Sequence, residues 1–88
     1  MAFPGGSAYA MVRDVGEGYL LVSERTFKTM SRSDLDQVVF EMDRYLRELR
    51  GDQPAIDDQP AVQQRQRKMQ RINSALTILR SYRMKNKT

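Results

Sequence analysis

The sequence predicts an α+β fold: a β-hairpin packed on an amphipathic helix, followed by a second, C-terminal basic helix. Three observations lead there. Gly16 and Gly18 lie just ahead of the apolar run Tyr19-Leu20-Leu21-Val22, which marks a tight reversal between β-prone arms. Apolar residues then recur at spacings of three and four over residues 33–50, the period of a helix with one buried stripe. Beyond a Pro- and Asp-containing stretch, the last segment carries Arg and Lys but no acid.

Residues 1–7 read as an extended arm, because Pro4-Gly5-Gly6 propagates neither regular structure cheaply. The hairpin is expected over residues 8–28, with arms at 8–14 and 19–28 around Val15-Gly16-Glu17-Gly18. A competing reading makes Ser7 the cap of a short helix over residues 8–15, closed by Gly16. Between strand and helix at 8–15, composition does not choose. The helix at 33–50 is better marked. Ser31 or Ser33 can cap it, and Asp34 and Asp36 sit where the helix dipole favours negative charge. Leu35, Val38, Val39, Met42, Tyr45, Leu46 and Leu49 form its stripe, about 27 Å long at 1.5 Å per residue. Asp43 and Arg47 are spaced as an i,i+4 pair, and Gly51 stands where a left-handed stop is expected.

Residues 51–59 form a linker in which Asp-Gln-Pro-Ala, found at 52–55 and 58–61, acts as a proline helix-entry signal. The second copy opens a helix expected over residues 60–84, with a polar tail at 85–88. Its apolar positions Met69, Ile72, Ala75, Leu76, Ile78, Leu79 and Tyr82 crowd into the C-terminal half. Residues 63–68 have no apolar face, so this stretch is expected to gain its order from another molecule.

The chain of 88 residues and 10.2 kDa is a single small domain with 40% hydrophobic residues, so its stability alone is expected to be marginal. It contains neither Cys nor His. That removes disulfide scaffolds, thiol nucleophiles, Cys/His zinc sites and imidazole acid–base chemistry. No phosphate loop or paired-acid site stands out, and Gly16-Glu17-Gly18 shares only G-x-G with a dinucleotide fingerprint. The expectation is a binding or assembly protein, not an enzyme, with no catalytic residue, cofactor or metal. The longest apolar run is far short of the ~20 residues a spanning helix needs, and the first residues do not read as a signal peptide. No membrane partner is expected, and synthesis in the cytoplasm is.

The charge is strongly partitioned. Residues 1–58 hold 7 basic and 11 acidic residues, a net of −4, whereas residues 59–88 hold 8 basic residues and no acid, a net of +8. Arg65, Arg67, Lys68 and Arg71 fall within two turns, and Arg80, Arg83, Lys85 and Lys87 follow. They are candidates to meet a nucleic acid or an acidic protein. Phosphate contacts by four of them would give salt-dependent, sequence-blind affinity. The alternative is internal pairing with acids such as Asp36, Glu41 or Asp57. Stacking aromatics are missing near residues 63–71, which disfavours single-stranded nucleic acid. Leu35, Val38, Val39, Met42, Leu46, Leu49, Ile72, Leu76 and Leu79 are the candidate core or assembly face.

The stretch from Tyr19 to Asp36, with the amphipathic helix after it, resembles the W-type small head-completion proteins of tailed bacteriophages, which join head to tail. The matching positions are Arg25, Phe27, Ser31, Asp34 and Leu35, in a pattern of hairpin, capped helix start and leucine. The resemblance spans roughly residues 9–50. It implies a virion protein at the head–tail junction, an adaptor forming a homo-oligomeric ring, with a portal-type ring and tail proteins as partners. The basic helix adds the option of non-specific DNA contact. The alternative function is a small basic DNA-binding regulator, although ten linker residues separate the helices where a helix-turn-helix uses three or four.

Overall fold

The hydroxyl of Ser7 accepts a hydrogen bond from the amide of Ala10 at 3.1 Å and opens the first helix, α1, Ala8–Glu17. This is the first point at which the chain departs from the hairpin reading. The computed structural model describes Phe3, residues 6–51 and residues 57–85. Every regular element among them is helical: α1, then α2 (Glu24–Lys28), α3 (Arg32–Gly51) and α4 (Gln59–Lys85). The fold class is therefore all-α, and the expected hairpin over residues 8–28 is wrong.

The physical reason lies in the spacing. Ala8, Met11, Val12 and Val15 follow one another at helical intervals, and all four are buried. The two glycines do not make one turn but perform two tasks. Gly16 lies inside the helix, and a Cβ built on it would collide with the ring of Tyr45 from α3. It is a point of close approach between helices. Gly18, with φ of 88°, is the left-handed cap. Its amide reaches Val15 O at 3.2 Å, while the amides of Tyr19 and Leu20 both donate to Asp14 O at 2.9 and 3.2 Å. The competing helix over 8–15 came nearer, although it closed the helix at the wrong glycine.

Tyr19 to Val22 join no strand pairing among the described residues. The supposed second arm instead turns into α2. The Ser23 amide donates to Thr26 Oγ1 at 3.2 Å, and Thr29 Oγ1 donates to Thr26 O at 3.1 Å. These local bonds end the segment at both sides, and Phe27 is driven fully inside. Ser31, not Ser33, caps α3. Its hydroxyl accepts from the Asp34 amide at 3.1 Å, and Asp34 Oδ2 accepts from the Ser31 amide at 3.0 Å. That is a reciprocal capping box with Asp in the third position.

Helix α3 ends at Gly51, which lacks a positive φ, so the expected left-handed stop does not form. Asp58 opens α4, its Oδ1 accepting from the Ala61 amide at 3.4 Å, and Pro60 lies in the first turn. The linker reading falls mostly on residues 52–56 and the tail reading on residues 86–88, both outside the described residues, as are Met1, Ala2, Pro4 and Gly5 of the arm. Lys85 belongs to α4, not to a tail.

α1 packs against both α3 and α4, which also touch each other, and α2 rests on α4. The shared core draws Met11 and Val12 from α1, Phe27 from α2, Val38 and Met42 from α3, and Ile72 and Leu79 from α4, all fully buried. Leu35, Leu46, Leu49 and Leu76 are buried beside them, and Val39 is half-buried. A fully buried aliphatic side chain of this kind stabilises by roughly 1.5–3 kcal/mol.

Candidate docking surfaces

The basic helix is mostly engaged with its own fold. Arg65 Nε donates to Leu49 O at 2.6 Å, and its Nη2 lies 3.5 Å from Arg50 O. Arg71 Nη1 donates to Gly16 O at 3.0 Å. Both guanidinium groups thus occupy the negative ends of helices, α3 and α1 respectively, where the last carbonyls lack intrahelical partners. Lys68 meets Glu17, in the last turn of α1, at 3.0 Å. This hydrogen bond raises the Lys68 ammonium above its ordinary pKa. Arg83 pairs with Asp36 at 2.9 Å and Lys85 with Glu24 at 2.9 Å.

The expectation that residues 63–68 take their order from another molecule is therefore corrected. Two helix C-termini supply what an apolar face would otherwise supply. Arg67 and Arg80 remain without a partner among the described residues, and Lys87 lies outside them. Thirteen residues separate Arg67 from Arg80, which places them about 20 Å apart along α4 and about 140° apart around it. They do not converge on one phosphate track.

A second charged cluster clamps α1 to α3. Arg13 Nη2 donates to both carboxylate oxygens of Glu48 at 2.9 and 2.8 Å. Its guanidinium carbon lies 4.6 Å from the centroid of Tyr9 and 5.0 Å from that of Tyr45, within cation–π range. The hydrogen bond to Glu48 raises the Arg13 pKa further, and burial raises that of the Tyr45 phenol.

Two surface features remain that the internal architecture does not use. The first is an open groove of about 360 Å³ between residues 18–22 and α4. Val15, Leu20, Val22, Ala75 and Ile78 give it an apolar lining, Arg67 and Arg71 border it, and no carboxylate lines it. Leu21 also lines it and is 91% exposed, and Tyr19, between Gly18 and Leu20 in the chain, is 82% exposed. The second is a shallow depression at the other end of α1, with Ala8, Tyr9 and Phe40 as its apolar part and Asp36 and Glu41 as its charged part. Phe40 is 58% exposed.

None of these three exposed side chains was among the sequence-derived site residues. Phe40 was visible in principle, since it stands off the α3 stripe beside Val39. Tyr19 and Leu21 were hidden by their assignment to a strand. Among the described residues no group of three acidic side chains is placed to hold a metal, and no helix is long and apolar enough to cross a membrane. Comparison with models of known families, with curated proteins and with solved structures finds no match to this chain.

Proposed function

We propose that this chain is a non-enzymatic assembly adaptor that works by docking protein surfaces, in the manner of head-completion proteins that join a portal-type ring to a tail. One observation carries the docking reading. Large apolar side chains stand exposed at a largely apolar groove and at a second depression of mixed lining, outside the buried core. Such patches on a small chain mark protein contact surfaces. The placement at a head–tail junction is supported by the junction residues of the resemblance. Ser31 and Asp34 form the capped helix start, and Phe27 and Leu35 are buried beneath it. The hairpin half of that pattern is no longer part of the reading.

The DNA-binding alternative loses support from the geometry. Of the seven described basic residues on α4, five are occupied by carbonyls or carboxylates of the same chain. Phosphate contact would have to displace them.

The test sets the two classes side by side. The purified chain is mixed with a portal-type ring protein encoded in the same genome and sedimented, and separately titrated with duplex DNA at low and high salt. Co-sedimentation that is lost in Leu21→Asp, with weak DNA binding, is the expected result. Tight duplex binding with a steep salt slope, and no co-sedimentation, overturns the adaptor reading. A genome without portal and tail genes overturns the head–tail placement.

A further inference from the structure

The groove beside α4 carries charge of one sign only. Its α4 wall consists of Arg67, Gln70, Arg71, Ser74, Ala75 and Ile78, whose spacings of three and four place them on one face of the helix. No carboxylate lines the groove, and Asp14 of the adjoining α1 is not part of it. The acids that flank it along the chain already have cations of their own. Glu17, next to Gly18, meets Lys68 at 3.0 Å, and Glu24, two residues beyond Val22, meets Lys85 at 2.9 Å. The charge of Arg67 and Arg71 is therefore not offset within the groove.

The two arginines stand one turn apart and are differently prepared. Arg71 Nη1 donates to Gly16 O at 3.0 Å, and a Cβ built on Gly18 would lie 3.1 Å from its Cζ. The guanidinium thus rests against the bare backbone of Gly18, fixed before anything binds. Its remaining N–H donors have no acceptor among the described residues. Arg67 is exposed and has no partner among the described residues. Guanidinium groups with unused N–H donors are suited to carboxylates, which accept paired hydrogen bonds from them.

The shape narrows the occupant further. Residues 67 to 78 span about 16 Å, or about three turns of helix. Leu21, on the other wall, is 91% exposed, so an occupant confined to the groove would leave it in water. A helix about 10–12 Å across with its side chains reaches over that rim. A nucleic-acid backbone could use the arginines but would gain nothing from Leu20, Val22 and Ile78.

We infer that this groove takes an amphipathic helix of a partner protein, with its apolar face on Leu20, Leu21, Val22 and Ile78 and an acidic side chain at Arg67 and Arg71. The partner helix presents apolar anchors at i, i+3 or i+4 and i+7, with Asp or Glu beside them. This rests on the docking reading and deepens it, since it assigns the chemistry of what docks.

The test sorts a yeast-displayed library of random peptides, about 15 residues long to allow three turns with flanks, against the unaltered chain. The bound peptides are expected to combine apolar residues at helical spacing with Asp or Glu. The most enriched one, labelled and titrated by fluorescence anisotropy, should bind at least about tenfold more weakly to Arg67→Glu and to Leu21→Asp. With its acids replaced by Lys, it should bind Arg67→Glu more tightly than it binds the unaltered chain. Both substituted residues are exposed, and unchanged circular dichroism checks that each variant keeps its helices.

A sort that enriches no peptide overturns the inference. So do enriched peptides without acidic residues, or binding that the two substitutions leave unchanged. Co-sedimentation with the portal-type ring keeps the docking reading separate. If Leu21→Asp abolishes that co-sedimentation while no acidic peptide is selected, the docking reading stands and the partner chemistry assigned here fails.

Discussion

The two halves of α4 are held in the fold by different forces. From Ile72 onward, Ile72, Ala75, Leu76 and Leu79 are buried against α1 and the rest of the core. Before Ile72, residues 63–71 offer the core only Met69 at a half-buried position, and the helix is fastened by Arg65, Lys68 and Arg71 on the ends of α3 and α1. A helix without an apolar stripe is therefore not necessarily a helix waiting for a partner. Unsatisfied carbonyls at the ends of neighbouring helices can anchor it, provided that cations recur where those ends arrive.

The contrast breaks first at the apolar half. Leu79→Ala is expected to cost about 2–5 kcal/mol, and Leu46→Ala on the facing stripe a similar amount. For a domain of this size that is a large share of total stability. Urea denaturation at two salt concentrations should show the same loss at both. A loss confined to low salt would mean that burial is not what holds this half.

Gly16→Ala comes next, because it pits helix propensity against packing. Alanine alone would favour the helix by about 1 kcal/mol. The added Cβ meets the Tyr45 ring, so a net loss of about 1–3 kcal/mol is expected from overpacking. Tyr45→Ala in the same background should reverse the sign of the glycine substitution. A stabilising Gly16→Ala in the unaltered chain would show that the two helices are not in close contact there.

The charged half should respond more gently and should feel salt. Arg65→Met and Arg71→Met each remove charge-assisted hydrogen bonds to helix-end carbonyls that water only partly replaces. About 1 kcal/mol apiece is expected, and the loss should shrink as salt screens the helix-end field. Equal losses at all salt concentrations would assign the two arginines to packing through their stems instead.

The smallest effect is at alkaline pH. The pKa of Lys68 is raised by Glu17 and that of Tyr45 by burial. In both cases the folded state holds its proton more tightly than the unfolded chain. The stabilisation is complete below the unfolded values of about 10 and is lost as pH rises through the higher folded values. Chemical denaturation between pH 8 and 11 (roughly the span of these groups) should show that decline, reduced in Lys68→Met. A flat profile would mean that neither group is coupled to folding.

Much of the α3 reading was legible because its signals are local. Leu35 to Leu49 repeat at three and four, and Ser31 stands three residues before Asp34. The helix register of α4 was legible for the same reason from Ile72 onward. The role of its cations was not, since Leu49 O is sixteen residues from Arg65 and Gly16 O is fifty-five from Arg71. No spacing rule connects them. The glycine pair misled because sequence records that a position lacks a Cβ, not whether a turn or a neighbouring ring requires it.

By itself the sequence determined the absence of imidazole and thiol chemistry, the division of charge between residues 1–58 and 59–88, and the stripe and cap of α3. These follow from composition and from periods of three and four residues, which act within one element. The tertiary structure alone decided that residues 8–17 are helical around a Tyr45 contact and that α4 is clamped by helix ends. It also decided that Phe40 and Leu21 remain uncovered. Each of those outcomes depends on what lies opposite in space, where packing and helix-end electrostatics act between residues far apart along the chain.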